Sequence, residues 1–442
     1  MQKLSKVNRD LSSQLRYAAL ILFFGLLGYM PLHIFLSTII GNQLNIVYIL
    51  RNLKEVVLLV GFVFAALGST RKQLRDVLAS KLTKLILIYC IFTALLGVIF
   101  LKDLDSTILG VVHNTRYFVF YLYGLLLAQH FRPMWLLEKA LKILLPVFVL
   151  VCGFALLQFF VLSPENLQSI GYTSANGLQA EFDIDNSSLE RVIGTFREPN
   201  SLGAYLVVIL LLGLSLFKVK LKSLQLSPTV LAALMLLGGA TLYLTFSRSA
   251  YLALFIGLPT FLLLNYQSKL RSLLPYFAVG VVALGLSLFV LVPSNESLRQ
   301  IFLHDSETEQ AITSDQARMQ AWSDSMERIK ENPQGTGPGT SGPASFYNEE
   351  SGYQIDESYY LQIANEVGVI GLILFTAIIL GMLFTLLSQR GPLTNALFAS
   401  LLGLSVASIF LHVWSNEAVA YLFWGITAIV VAFNPKDSTH TP

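Results

Sequence analysis

Twelve apolar runs constrain this chain more than any other feature. They occupy residues 17–40, 46–68, 84–101, 107–128, 142–162, 200–217, 228–246, 249–266, 275–293, 359–387, 393–413 and 418–434. Each reaches or approaches the roughly 20 residues that a helix needs to cross a bilayer core. The run at 46–68 is the most polar, with Arg51, Lys54 and Glu55 in its first half. The reading is an all-α, polytopic integral membrane protein of about 12 transmembrane helices, with residues 1–442 as a single integral membrane domain. Charge content agrees: 13% of residues are charged, against about 25% in soluble domains. Thirty Phe and 18 Tyr exclude a solvated, disordered chain. A net charge of +3 is too small to suggest a nucleic-acid partner.

Orientation follows from where Lys and Arg fall. With the N-terminus inside, 19 of the 30 lie in the tail and the cytoplasmic loops. Only four acidic residues, Asp10, Asp76, Glu138 and Asp437, join them there. This predicts an N-in, C-in protein. Lys3, Lys6, Arg9 and Arg16 precede a first run too long for a signal-peptide core, which reads as a retained signal anchor. Cytoplasmic loops are short, whereas two outer loops, 163–199 and 294–358, are long. In the second, Met319, Trp322, Met326 and Ile329 recur at helical spacing, Thr313 and Gln316 fit a capping box, and Pro333 ends the pattern. An amphipathic helix near 314–331, lying on the membrane surface, is expected. Long loops in compact proteins commonly carry function, which places the chemistry on the outer face.

No Walker loop, HExxH or GxSxG occurs. The six histidines show no ligand spacing, and Cys90 and Cys152 sit in apolar runs as small hydrophobes. The triplets DLD at 103–105 and DID at 183–185 are too common by chance to predict a metal. No metal and no cofactor is expected.

Three segments concentrate polar residues. RVIGTFREPNSLGAYL, 191–206, holds Arg191 and Arg197 before a membrane entry at Asn200. TFSRSAYLAL, 245–254, sets Ser247 and Arg248 in a short outer turn. PQGTGPGTSGPASF, 333–346, and DESYYLQIANEVGVIGL, 356–372, form a Gly-rich turn, then Glu357 at a helix start, then Tyr360 and Glu366. Arg116 lies about ten residues into the fourth run, where a charge is costly unless it is paired or lines a wet cavity. A single interfacial arginine is commonly a snorkelling anchor. Several converging from separate segments suit a lipid-linked phosphate or diphosphate, because the guanidinium fork matches phosphate oxygens. Glu357 is either a dipole-stabilised surface charge or a general base. Glu366 is either the partner of a buried donor or catalytic. Gly335, Gly337 and Gly339 form either a tight turn or a phosphate cradle.

In these segments the chain resembles the O-antigen ligase / O-antigen polymerase family. The resemblance rests on Arg191, Gly194, Phe196, Pro199 and Asn200, then Ser247 and Arg248, then Arg318, Trp322, Pro333, Gly335 and Gly337, and last Tyr360, Leu361, Glu366, Gly368 and Gly371. It covers roughly 190–375 as a core region. It implies a GT-C-type glycosyltransferase in a bacterial cytoplasmic (inner) membrane, with its active site facing outward. The implied donor is an undecaprenyl-diphosphate-linked glycan and the acceptor a glycan or lipid-linked glycan, with neither metal nor nucleotide sugar. The product would be O-antigen, capsule or exopolysaccharide. A flippase and a chain-length regulator are implied partners, in a surround of membrane lipids. The family's ligases carry a His-Asn pair before Tyr-Leu; Glu357 and Ser358 stand there in this chain. That departure puts the polymerase reading ahead of a ligase attaching glycan to a lipid or other acceptor. On this reading Glu357, Arg191 and Arg248 are catalytic. Arg197, Arg116, Asn200, Ser247 and Tyr360 bind substrate. The reading from another class is a secondary transporter or lipid-linked glycan flippase. Against it, the long outer loops have no counterpart in the first 160 residues, as repeated halves would require.

Overall fold

Prolines mark where several helices begin and break. Five helices carry Pro at their first position, where the missing N–H is not needed. A computed structural model describes residues 2–101, 103–182, 190–219, 221, 223–266, 314–348 and 354–433, without the side chains of 2–10 and 314–316. Helix α1 (Gln2–Tyr29) passes through a short 3-10 turn containing Pro31 into α2 (His33–Leu44). Helix α3 (Val47–Gly68) bends by 115° into the basic helix α4 (Arg71–Ala79), which starts with a Thr70/Gln73 capping box. Then follow α5 (Lys81–Ile99), α6 (Leu104–Ala128), α7 (Pro133–Phe160) and the short α8 (Pro164–Ser169). Next come α9 (Pro199–Leu216), α10 (Pro228–Leu244), α11 (Arg248–Asn265) and α12 (Ser314–Glu331). The last three are α13 (Tyr359–Gln389), α14 (Pro392–Ala407) and α15 (Glu417–Val431). No β-strand occurs among the described residues.

This is an all-helical, polytopic membrane protein. On length and composition, six described helices can cross a membrane, or seven if α3 and α4 are one span. Helices α10, α14 and α15 are apolar but shorter. The run expected at 275–293 lies outside the described residues, as do DID at 183–185 and Thr313. The other eleven runs each overlap a helix. Lipid-facing positions are apolar without being buried, as at Val98, Leu236 and Phe384.

Helices α6, α9 and α15 form the buried centre. Aromatic side chains fill it: Phe23 stacks on Phe120, and Phe118 meets Trp424 edge-on. Apolar side chains gain little from leaving lipid, so close packing has to hold membrane helices together. Helices α11 and α14 show how. A Cβ at Gly403 would stand 2.2 Å from the Ala253 carbonyl oxygen, and one at Gly257 3.1 Å from that of Ala399. This antiparallel register brings the start of α11, at Arg248, level with the end of α14, near Ser408.

Candidate functional site

The segment before α9 is pinned from three sides. The Gln158 side-chain oxygen accepts the N–H groups of Ile193 and Gly194, each at 3.0 Å. Thr195 Oγ1 donates to the Pro31 carbonyl at 2.6 Å, and Val192 N to the Leu244 carbonyl at 3.1 Å. Buried Phe196 packs on Tyr205. A backbone held this firmly fixes the direction of Arg191. Its Nε donates to the Thr245 carbonyl at 3.0 Å and its Nη2 to Asn200 Oδ1 at 2.8 Å. Ser247 caps α11 by accepting from Ala250 N, and Arg248 is the first residue of that helix. Burial lowers the Arg191 pKa; Glu198 opposes the shift and Arg248 adds to it. Two guanidinium groups therefore sit within each other's field at the start of α9 and α11. Arg197 is exposed, in the field of Arg51 and His113 instead.

A second cluster surrounds the start of α13. Glu357 is one of four non-glycine residues with positive φ among the described residues, at 52°. Its carboxylate is partly open and 3.6 Å from Arg318 Nε, and its carbonyl accepts from Trp322 Nε1 at 3.3 Å. Ser358 precedes the helix and turns its hydroxyl to the Ser408 carbonyl at 3.4 Å, to which Tyr359 N also donates at 3.0 Å. Tyr360 turns its hydroxyl to the Ser405 carbonyl, 2.9 Å away. The α11–α14 register sets Arg248 at the height of Ser408, so both clusters occupy one end of the bundle. His412 Nε2 is buried without a hydrogen-bond partner, in the field of Asp356 and Glu357.

The Gly-rich turn is a structural wedge. Gly368 breaks α13 at φ 77°, and the turn satisfies the backbone groups this frees. Thr336 N and Gly337 N donate to the Asn365 and Glu366 carbonyls at 2.8 and 3.0 Å, and Val369 N to the Pro333 carbonyl. Buried Glu366 accepts Gly339 N at 2.9 Å, Ser341 N at 3.3 Å and Asn114 Nδ2 at 2.6 Å. A Cβ at Gly339 would lie 2.0 Å from the Ser106 carbonyl oxygen. The turn's amides are thus spent on protein, which corrects the phosphate-cradle alternative, and Glu366 is the partner of buried donors.

Residues 232–376 match the family model described as O-antigen ligase. These residues therefore carry an O-antigen ligase domain. The match spans Ser247, Arg248, α12, the Gly-rich turn, Glu357 and Glu366, while Arg191 and Arg197 precede it. No curated protein matches the chain. A domain of this type points to a glycan-transferring membrane enzyme with lipid-linked glycan substrates.

The residues singled out in the sequence do not all meet. Arg191, Asn200, Ser247 and Arg248 form one cluster, Glu357 and Tyr360 the other. Arg116 belongs to neither. It is fully buried, 2.8 Å from Glu55 and 3.3 Å from Glu417, with Nη2 donating to the Ser415 carbonyl. Lys54 closes the network at 3.4 Å from both carboxylates. Asp103 caps α6 by accepting Ser106 N at 2.7 Å. No metal-holding group of three or more His, Cys, Asp or Glu occurs among the described residues. On α12, Met319 and Met326 of the apolar stripe are exposed, and the face turned to the protein carries Arg318, Trp322, Ser325 and Arg328. Sequence reasoning missed Asp356, which that face grips. The 4, 3, 3 spacing of these four residues was the available signal.

Proposed function

We propose that this protein polymerises undecaprenyl-diphosphate-linked repeat units on the outer face of the cytoplasmic membrane, through a GT-C-type, metal-independent glycosyl transfer. The reading includes twelve spans with both termini inside. The observation that carries it is the placement of the Arg191–Arg248 pair and Glu357 at one end of the bundle. The arginines hold the donor diphosphate. They offset the charge that grows on it as the bond between the anomeric carbon and the phosphate oxygen breaks. Glu357 takes the proton of an acceptor hydroxyl, whose oxygen attacks the anomeric carbon from the opposite face and inverts it. Arg197, Asn200, Ser247 and Tyr360 border the substrate. Glu357 and Ser358, standing where the family's ligases carry His-Asn, favour polymerisation over ligation.

Purified lipid-linked repeat units in detergent test this. Wild-type enzyme should build glycan chains, and Glu357→Gln should slow chain growth by about 10²–10⁴-fold. Wild-type rates from Glu357→Gln would remove the base. Transfer to a foreign lipid acceptor without chain growth would move the reading to a ligase. Orientation has its own test. Cysteines at Ser187 and Ser306 should react with an impermeant thiol reagent in spheroplasts, and one at Ser223 should not. The reverse pattern would turn the site inward.

A further inference from the structure

Arg318, Trp322, Ser325 and Arg328 lie on one face of α12, at spacings of four, three and three. All four reach two adjacent residues. Arg318 and Trp322 engage the carboxylate and the carbonyl of Glu357. Ser325 Oγ and Arg328 Nη2 donate to Asp356 Oδ1, at 2.5 and 2.6 Å. The Asp356 side chain has no exposure, and two more donors complete its shell. Asn365 Nδ2 reaches it at 2.8 Å from α13, and Ser341 Oγ reaches it from the Gly-rich turn. One carboxylate therefore joins the loop helix, the turn and the broken helix. The next residue, Glu357, is held in the left-handed region at φ 52°. Such a conformation costs a β-carbon-bearing residue about 1–3 kcal/mol and persists only where its surroundings over-determine it.

We infer that Asp356 is a positioning residue for glycosyl transfer: by clamping α12 and the Gly-rich turn onto the start of α13, it holds Glu357 in its strained conformation, facing Arg318. The inference rests on the reading of Glu357 as general base. Asp356 itself touches no substrate. With four protein donors and no exposure it is closed to substrate, and its contribution passes through the backbone of its neighbour. A clamp assembled from three segments sets the base to within a fraction of an ångström, and a displacement of about 1 Å from such a setting can cost about 10²-fold in rate.

The experiment is a double-mutant cycle on purified full-length protein, with lipid-linked repeat units as substrate. Asp356→Asn replaces one acceptor oxygen by an amide donor and removes the charge that Arg328 meets, and should lower the rate by roughly 10²-fold. Should that variant not fold, Ser325→Ala combined with Ser341→Ala decides. This pair leaves every charge in place, removes two donors, and should slow chain growth with an unchanged affinity for undecaprenyl diphosphate. In a Glu357→Gln background the same pair should cause no further loss, because residues acting through one group are not additive. A loss that multiplies with that of Glu357→Gln would make Asp356 a fold staple only, as would wild-type rates from the serine pair. Wild-type rates from Glu357→Gln alone would remove base and positioning role together, which separates failure of the mechanism from failure of the clamp.

Discussion

Two arginine clusters of similar composition behave oppositely in this protein. Around Arg116, two cations and two carboxylates from α3, α6 and α15 close on one another inside the bundle. Around Arg191, the hydrogen bonds run to a carbonyl and an amide oxygen, both neutral, with a second guanidinium in the field. The first arrangement satisfies its own charge and holds helices together. The second ties Arg191 to neutral acceptors, with one carboxylate, Glu198, and one cation, Arg248, in its field. An arginine in a membrane protein is therefore not by itself a sign of a phosphate site; its counter-ions decide.

The comparison breaks most readily at Arg116. Arg116→Ala leaves Glu55 and Glu417 with one cation between them, and removing one partner of a buried pair costs about 3–5 kcal/mol. The expected outcome is a large fall in folded yield and in Tm in detergent. Normal stability with lost glycan assembly would move Arg116 into the substrate site. Next in size is Arg248→Lys. It keeps the charge and loses the fork, and loss of a charge-assisted contact is worth about 1.5–3 kcal/mol, roughly 10- to 100-fold in rate. Tm should not change, and full activity would remove Arg248 from the diphosphate site. The smallest effect sharpens the contrast. Tyr421→Phe deletes one donor to Glu55, at 3.2 Å, and should cost about 1 kcal/mol with the rate per folded molecule unchanged. A rate loss larger than the stability loss would couple the buried network to catalysis.

The apolar runs were legible because membrane insertion depends on local composition, and each run can be judged alone. Eleven of them coincide with helices, and the helix break at Gly368 falls inside the last long one. The partners of buried polar groups were not legible. Arg116 finds Glu55 and Glu417 at separations of 61 and 301 residues, and Glu366 finds Asn114 at 252. A sequence window holds no trace of such distances. The α12 pattern was legible only in part, for a related reason. Methionines at helical spacing mark a candidate apolar face, but here polar contacts with Asp356 and Glu357 set which side of the helix turns inward.

The sequence by itself determined that the chain is a membrane protein, where most of its helices lie, and that its polar residues concentrate in a few short segments. These follow from hydropathy and from short-range spacing. Only the tertiary structure decided that Arg116 is closed off by carboxylates, that the Gly-rich turn spends its amides on a broken helix, and that Asp356 joins three segments beside a strained Glu357. Low-dielectric burial makes every unpaired charge and amide expensive, so each must find a partner. Which partner it finds depends on helix packing that brings distant parts of the chain together.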